Sequence, residues 1–329
     1  MMMMMMMMKR KMMIRTYHIA SKSIRACLLI IFALQINGIH TQLLPTIPSM
    51  KQIIGWPSDP EPKQQNSTSN SNIKINYQTG CITLTAVNAT YNYAQGTDGR
   101  VVCFPSHWRR VTGIDGRIVA YPTNWRYSEG NDGRIVAYPP SNWRLETDLN
   151  ERIFFIPYSG WTLEKGSDGY WSPRPINGWT WEQGSDGRRV VRPINGWTWE
   201  QGSDGRKVVR PINGWTWDQG NDGRKVVRPI NGWTWDQGRD GRKVVHPISG
   251  WTWDQGSDGR VVVRPSSGWT WQQGSDGRKV VRPFGISKEL TLIFNQAEYL
   301  ALFDALRPTL SDEELTHLIL YYWINIDKE

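Results

Sequence analysis

The stretch Gly196-Trp197-Thr198-Trp199-Glu200-Gln201-Gly202-Ser203-Asp204-Gly205-Arg206-Lys207-Val208-Val209-Arg210-Pro211-Ile212-Asn213 is one period of an eighteen-residue repeat. Near-identical copies place their first tryptophan at positions 179, 197, 215, 233, 251 and 269. Diverged copies come before them, and the same slot then holds Tyr91, Trp108, Trp125, Trp143 and Trp161. The chain therefore contains eleven units between about residues 91 and 285, and such self-similarity indicates a repeat architecture.

Each unit has the pattern of a β-hairpin. Asp204-Gly205 and Asn213-Gly214 are dipeptides typical of two-residue type I′ turns, in which both central residues need positive φ. A proline and several glycines in every unit exclude a helix. We therefore predict an all-β repeat fold, an antiparallel β-hairpin meander or β-hairpin solenoid of about eleven units of eighteen residues.

The predicted turns also set which side chains share a face. They place Trp199 opposite Arg210 on one face, while Glu200 and Lys207 lie on the other face as diagonal neighbours able to pair. Repetition of this pattern predicts a ladder of alternating Trp and Arg side chains with cation–π contacts. The candidate ligand-binding residues of this ladder are Trp179, Trp181, Arg192, Trp197, Trp199, Arg210, Trp215, Trp217, Arg228, Trp233, Trp235, Trp251, Trp253, Arg264, Trp269, Trp271 and Arg282.

Proline occupies one fixed slot in all eleven units, for example Pro193 and Pro211. A strand loses a ladder hydrogen bond at each proline, so we expect the Pro-Ile-Asn-Gly link to be looser than the Asp-Gly turn. Because open sheets of much more than ~10 strands tend to curl, we expect a curved or superhelical ribbon.

Two known repeat families resemble these units. The stretch Gly133-Arg134-Ile135-Val136-Ala137-Tyr138-Pro139-Pro140 resembles the second strand of WG-type β-hairpin repeats, and Gly-Trp followed by a turn glycine is similar to choline-binding cell-wall repeats. Both resemblances imply secreted tandem β-hairpins. Val and Arg stand where the choline-binding repeats carry paired aromatic residues, so no choline site is expected.

The N-terminal part of the chain has the features of an export signal. Basic residues are followed by an apolar run of eleven, Ala26 to Ile36, which is too short to span a bilayer but is typical of a signal peptide. We predict a signal peptide at 1–38, with an uncleaved signal anchor as the alternative, and a disordered linker at 39–75. The protein is thus expected to be secreted and extracellular.

Net charge and cysteine content follow from this division. The chain carries +9, but six of the surplus positive charges lie in the predicted signal peptide, and this disfavours nucleic acid as a partner. Cys81 and Cys103 remain after cleavage, and two thiols in an exported chain favour a disulfide. Asn66 and Asn88 begin N-glycosylation sequons.

The chain after the repeat domain (76–285) changes to a helical period. Residues 286–329 predict a small helical hairpin cap, with Tyr299, Leu300, Phe303 and Leu306 on one side of the first helix. After Pro308, a capping box over 311–314 opens a second helix with Leu315, Leu318, Ile319 and Tyr322 inward. We expect it to cover the last strand, because exposed sheet edges aggregate. An amphipathic partner-binding helix is the alternative.

No catalytic constellation stands apart from the repeat, so we expect no enzyme activity, cofactor or metal site. Asp204-Gly205-Arg206 is interpreted as a turn. A surface repeated many times suits a secreted structural protein of a matrix, coat, cuticle or adhesive. The alternative is a multivalent polysaccharide- or polyanion-binding protein that uses the Trp/Arg face, with extracellular glycans or self-association as partners. We expect neither nucleic acid nor, after signal cleavage, membrane as a partner.

Overall fold

The computed structural model describes residues 72–325. The predicted signal peptide, almost all of the predicted linker and the sequon at Asn66 lie outside these residues. The described chain begins with β1 (Ile73–Asn76) and β2 (Cys81–Ala89). It then forms eleven consecutive two-stranded antiparallel hairpins, as predicted.

We number these hairpins 1 to 11 in chain order. Their strands are β3 (Tyr91–Gln95) with β4 (Val101–Pro105), β5 (Arg109–Thr112) with β6 (Ile118–Tyr121), β7 (Arg126–Glu129) with β8 (Ile135–Tyr138), β9 (Trp143–Thr147) with β10 (Ile153–Pro157), β11 (Trp161–Lys165) with β12 (Trp171–Pro175), β13 (Trp179–Gln183) with β14 (Arg189–Pro193), β15 (Trp197–Gln201) with β16 (Lys207–Pro211), β17 (Trp215–Gln219) with β18 (Lys225–Pro229), β19 (Trp233–Gln237) with β20 (Lys243–Pro247), β21 (Trp251–Gln255) with β22 (Val261–Pro265), and β23 (Trp269–Gln273) with β24 (Lys279–Pro283).

The turn of each hairpin differs from the predicted type I′ turn. In hairpin 7, Gly202 N donates to Arg206 O at 2.9 Å and Gly205 N donates to Gly202 O at 3.1 Å. Gly205 has a φ of 86°, whereas Asp204 is not among the residues with positive φ. The loop therefore has three residues, 203 to 205, and ends in a left-handed glycine, which is the next most common hairpin connection.

This extra loop residue shifts the strand register by one. Trp199 pairs with Val209 and Arg210 pairs with Thr198, so Trp199 and Arg210 lie on opposite faces of the hairpin. A shift of one residue moves a whole strand's side chains to the other face. The predicted Trp/Arg ladder is therefore wrong, although the predicted hairpins are present.

Successive hairpins stack face to face. Between hairpins 6 and 7, Lys207 Nζ lies 3.5 Å from Glu182 Oε2, and Arg192 Nη1 donates to Trp197 O at 3.3 Å. The Trp face of one hairpin thus covers the Glu/Arg face of the preceding one. Every hairpin inside the stack has both faces covered by neighbours.

The stack of hairpins closes on itself. At the turn ends, Asp186 N donates to Gly205 O at 3.5 Å, and equivalent bonds recur along the stack. The same bond joins the last hairpin to the first, from Asp276 N to Gly99 O at 3.4 Å. Gln95 Nε2 also donates to Ser275 Oγ at 2.9 Å across this junction. The predicted curved ribbon is therefore a closed ring of eleven hairpins.

The remaining elements form one unit, which we call the plug. Strands β1, β2 and β25 (Ser287–Ile293) make a three-stranded antiparallel sheet in the order β1-β2-β25. Helices α1 (Glu298–Leu306) and α2 (Asp312–Asn325) follow as predicted. The capping box is present, because Ser311 N donates to Glu314 Oε2 at 2.9 Å and Glu314 N donates to Ser311 Oγ at 3.3 Å. Residues 73–89 thus belong with the C-terminal segment rather than with the linker or the repeats.

The plug contacts the ring at the ends of the hairpins that bear the first tryptophan. Trp215 Nε1 donates to Tyr77 O at 2.8 Å, and Ala137 N donates to the Tyr321 hydroxyl at 3.0 Å. Ring contacts at this interface pair Trp108 with His317, Trp125 with Tyr321, Tyr77 with Trp197, and Trp269 with Trp323. The sequence predicted that the helical pair would cover the edge of the last strand of the repeats. It does not, because hairpin 1 lies against hairpin 11 and covers that edge.

Cys81 and Cys103 are buried in different hydrophobic clusters, and no disulfide joins them among the described residues. The predicted pairing therefore does not form here. Neither described helix is long and apolar enough to cross a membrane.

Candidate functional site

The turn ends of the hairpins surround a cavity of about 1140 Å³, which we call the central cavity. Its lining comes almost wholly from the repeated Asp-Gly-Arg tripeptide. The lining residues are Asp98, Arg100, Asp115, Arg117, Asp132, Arg134, Asp168, Tyr170, Asp186, Arg188, Asp204, Arg206, Asp222, Arg224, Asp240, Arg242, Asp258, Arg260, Asp276 and Arg278. Ring closure thus brings nine guanidinium groups and ten carboxylates together from widely separated positions in the chain.

Each aspartate holds its own turn, and five of them also lie within 4.0 Å of two arginines: Asp186, Asp204, Asp222, Asp240 and Asp258. Asp204 Oδ1 accepts a hydrogen bond from Arg206 N at 3.1 Å, which fixes the loop. Its Oδ2 lies 3.6 Å from Nε of Arg206 and 3.9 Å from Nε of Arg224 in the next hairpin. This Oδ2 is buried and has no hydrogen-bond partner among the described residues. Oδ2 therefore interacts with the two arginines through charge attraction rather than through a hydrogen bond.

The arginines reach further into solvent than the aspartates. The side chain of Arg224 is 29% exposed, against 16% for Asp204. Its closest approach to the carboxylates is through Nε, so the two Nη groups of the guanidinium are farther from the aspartates. These Nη groups are donors that a planar oxyanion can bind in a bidentate way.

The crowding of positive charge perturbs these arginines. Desolvation lowers the pKa of Arg224, and the neighbouring Arg242 and Arg206 lower it further. The pKa values of Arg260 and Arg278 are lowered for the same reasons, with desolvation as the larger cause. An anion placed among these groups would be attracted by several of them at once.

One junction of the ring lacks both charges. In hairpin 4 the loop contains Asn150 in the aspartate slot, and in hairpin 5 Tyr170 takes the arginine slot. The Tyr170 ring lies 4.9 Å from Arg152 Cζ and 5.7 Å from Arg188 Cζ. In the regular pattern, an arginine lies between the aspartate of its own hairpin and the aspartate of the preceding hairpin. The contact between hairpins 4 and 5, which we call the Asn150/Tyr170 junction, therefore lacks one negative and one positive charge, and its net charge equals that of a regular junction.

The structure separates the Trp and Arg residues that the sequence predicted as one site. Four of the second tryptophans have one ring face covered by lysine, for example Trp199, which is 39% exposed and has Lys207 Nζ 3.4 Å from its ring centroid. Arg189 lies over Trp181 instead, and Trp253 is 45% exposed. The first tryptophans lie against the plug, and Trp179, Trp215 and Trp233 are buried.

The predicted arginines are engaged on the other hairpin face. Arg210 Nη2 donates to Glu200 Oε1 at 2.9 Å, and its Nη1 donates to Trp215 O at 3.2 Å. The predicted Glu200 and Lys207 pair does not form within one hairpin, since Lys225 of the next hairpin approaches Glu200 instead. Asn88 is exposed with a φ of 37°, and its glycosylation stays a prediction.

The sequence predicts that the Asp-Gly-Arg residues of the cavity are turn residues, and they do form the turns. The sequence also contains a sign that these residues do more than form turns. Asp-Gly-Arg is unchanged in the diverged hairpins 1 to 3, whereas the second tryptophan is replaced there by Tyr93, Arg110 and Tyr127. Among the described residues, no group of three or more His, Cys, Asp or Glu could hold a metal ion.

Comparison with known proteins gives no relative on which to base a function. No family model matches the chain, and no curated protein matches it. Two solved structures, of the wild type and of a point mutant of the TCP10 domain of Danio rerio CPAP, are each 18% identical over 55% of this chain and 99% of theirs. Their TM-scores are 0.16 and 0.15, which carry no argument about fold or function.

Proposed function

We propose that this protein is an exported, non-catalytic ring protein that binds a polyanion in its central cavity. The observation that carries the proposal is the convergence of nine guanidinium groups on one cavity. Arginine is the side chain best suited to planar oxyanions, because its fork of donors forms paired charge-assisted hydrogen bonds. Ten carboxylates accompany these nine guanidinium groups, but the arginine side chains are the more exposed, so a ligand in the cavity would meet guanidinium groups first.

The Trp-bearing faces support binding less well. A sugar ring would need an open aromatic face, but lysine covers the exposed tryptophans of hairpins 7, 8, 9 and 11 at 3.3 to 3.4 Å. The arginines on the opposite face already bond Glu or Asp carboxylates. The cavity arginines are the ones with Nη groups directed away from their carboxylates.

A natural replacement in the sequence suggests a variant that tests this proposal. The natural Asn150/Tyr170 junction shows that the ring accepts loss of an aspartate and of the following hairpin's arginine. The same change is made at three regular junctions: Asp204→Asn with Arg224→Tyr, Asp222→Asn with Arg242→Tyr, and Asp240→Asn with Arg260→Tyr. This triple-junction variant has the same net charge as the wild type.

The measurement is calorimetric titration with heparin and with long-chain inorganic polyphosphate. We expect the triple-junction variant to bind at least about 10-fold more weakly, since each lost charge-assisted hydrogen bond is worth ~1.5–3 kcal/mol. The matched control replaces Lys207, Lys225 and Lys243 by Ala, which lowers the net charge by three outside the cavity. Weaker binding in the control than in the triple-junction variant would show that net charge, not the cavity, drives association and would refute the proposal.

A structural role in an extracellular matrix or coat is a second candidate, favoured by the exposed isoleucines at the links between hairpins. Both faces of each hairpin are covered within the ring, so assembly would have to use other surfaces. Ile176, Ile194, Ile212 and Ile230 are 53% to 54% exposed. Sedimentation of the wild type and of a variant with these four isoleucines changed to Ser tests this role: assembly that the variant loses supports it, and a monomer at all concentrations excludes it.

A further inference from the structure

We propose, resting on the function proposed above, that the ligand of the central cavity is one compact molecule with several phosphate groups. The ring would bind it with a stoichiometry of one. Three features of the cavity carry this inference: its volume, the arrangement of its donors and the carboxylates with which any ligand must compete.

The volume favours a small molecule. The cavity of about 1140 Å³ is close to the range of sites that enclose small ligands, ~300–1,000 Å³. A polymer chain could place only a short stretch inside it. The rest of the polymer would lie outside the cavity and would not contact the arginines that line it.

The arrangement of donors favours charged groups that point outward from one centre. Nine of the eleven hairpins each contribute one equivalent arginine, which lies 3.4 to 3.7 Å from its own aspartate through Nε. They therefore approach the cavity from many directions around the ring. A compact molecule with radiating anions can meet several of them together, whereas a linear chain meets only those along its path. Simultaneous contacts raise affinity by orders of magnitude.

Competition with the aspartates favours phosphate over sulfate or carboxylate. Every arginine already has a carboxylate beside its Nε, and six also approach the aspartate of the preceding hairpin at 3.8 to 4.0 Å. A ligand group must attract the guanidinium more strongly than these neighbours do. A phosphate monoester carries about −1.5 to −2 at neutral pH and three acceptor oxygens, against a single charge on the other two groups.

The test is calorimetric titration of the whole protein with four probes at about 0.15 M salt, where long-range attraction is screened. The probes are inositol hexakisphosphate, tripolyphosphate, inorganic phosphate and heparin. We expect inositol hexakisphosphate to bind with one molecule per ring and at least about 100-fold more tightly than inorganic phosphate. The triple-junction variant should lose at least about 100-fold of this affinity. If it does not fold, the single-junction variant Asp222→Asn with Arg242→Tyr should lose about 10-fold or more.

The outcomes separate this inference from the proposed function. If heparin binds tightly and neither inositol hexakisphosphate nor tripolyphosphate binds, the inference is overturned, but the proposed polyanion-binding function still stands. More than one inositol hexakisphosphate per ring, or affinity unchanged in the folded variants, also overturns it. No binding of any of the four probes refutes both.

Discussion

Glycine residues at the two ends of a hairpin serve different purposes. Gly205 at the turn has a φ of 86°, and a Cβ there would lie 2.7 Å from Ser185 Oγ and 3.0 Å from Asp186 N of the preceding hairpin. Gly214 at the link has a φ of 76°, but a Cβ there would meet no atom within 4 Å. Both positions need the left-handed conformation, and only Gly205 also needs the space for stacking.

This difference gives a matched pair of substitutions. Gly214→Ala should lower the free energy of unfolding by about 1–2 kcal/mol, because a residue with a Cβ is strained in the left-handed conformation. Gly205→Ala should cost a further ~1–3 kcal/mol, because overpacking separates hairpins 6 and 7 at their turns. Urea unfolding of the two variants measures both values. Equal losses would mean that the turns do not stack as closely as described.

Glu298, at the start of α1, makes stability depend on pH. Burial raises its pKa to about 7 from an ordinary value of 4.5, so the folded state holds the proton more tightly than the unfolded chain. The favourable contribution is complete below pH ~4.5 and is lost as the pH rises through about 7. Glu298→Gln should therefore raise Tm relative to the wild type at pH 8 but not at pH 5. The exposed Glu289→Gln serves as the control and should show no such pH dependence.

At the scale of the element, the two tryptophans of one strand have unequal roles. Trp215 is 6% exposed, packs against the plug and donates to Tyr77 O, while Trp217 is 39% exposed with Lys225 over its ring at 3.4 Å. The two residues are only two positions apart, on the same face of one strand. The first tryptophan joins the ring to the plug, and the second contributes to the contact between hairpins.

Truncation of each residue should show this inequality. Trp215→Ala should lower the free energy of unfolding by about 3–5 kcal/mol, the usual cost of removing a buried aromatic side chain. It should also leave Tyr77 O without the hydrogen bond from Trp215 Nε1. The loss of unfolding free energy for Trp217→Ala should be smaller than that for Trp215→Ala by at least ~1 kcal/mol. Part of the Trp217 surface is already exposed to solvent, and its cation–π contact with Lys225 is worth about 0.5–1 kcal/mol. Chemical denaturation followed by far-UV circular dichroism distinguishes them. A larger loss for Trp217→Ala would contradict the assigned packing.

The elements could be predicted from the sequence because their signals are local. The eighteen-residue period gives the hairpins, and the Ser311 to Glu314 capping box gives the start of α2. The register could not be predicted, because Asp204-Gly205 fits a two-residue type I′ turn as well as the last two positions of a three-residue loop. That one residue decides which face Arg210 occupies, and with it the whole predicted binding face.

At the scale of the molecule, the candidate site exists only because the ring closes. Asp276 and Gly99 are far apart in sequence, and no local pattern indicates that hairpin 11 will bond to hairpin 1. The number of hairpins and the twist between them decide whether Asp-Gly-Arg turns surround a cavity or line an open ribbon. The plug adds a second constraint, since tryptophans from hairpins on all sides of the ring contact it.

Ring size is therefore predicted to be fixed at eleven. Deletion of residues 197–214 removes one complete period and joins Gly196 to Trp215 without changing any local sequence. A ten-hairpin stack must either leave a gap between hairpins 11 and 1 or tighten around the plug, and a well-packed core accepts neither without losing stability. We expect the deletion variant to lose its cooperative thermal transition and to elute as an aggregate or an expanded chain in size-exclusion chromatography. The control exchanges residues 197–214 for a copy of 215–232, which changes only Glu200→Asp and Ser203→Asn and should melt within a few degrees of the wild type. A deletion variant as compact and as stable as this control would mean that neither the closure nor the plug determines the number of hairpins.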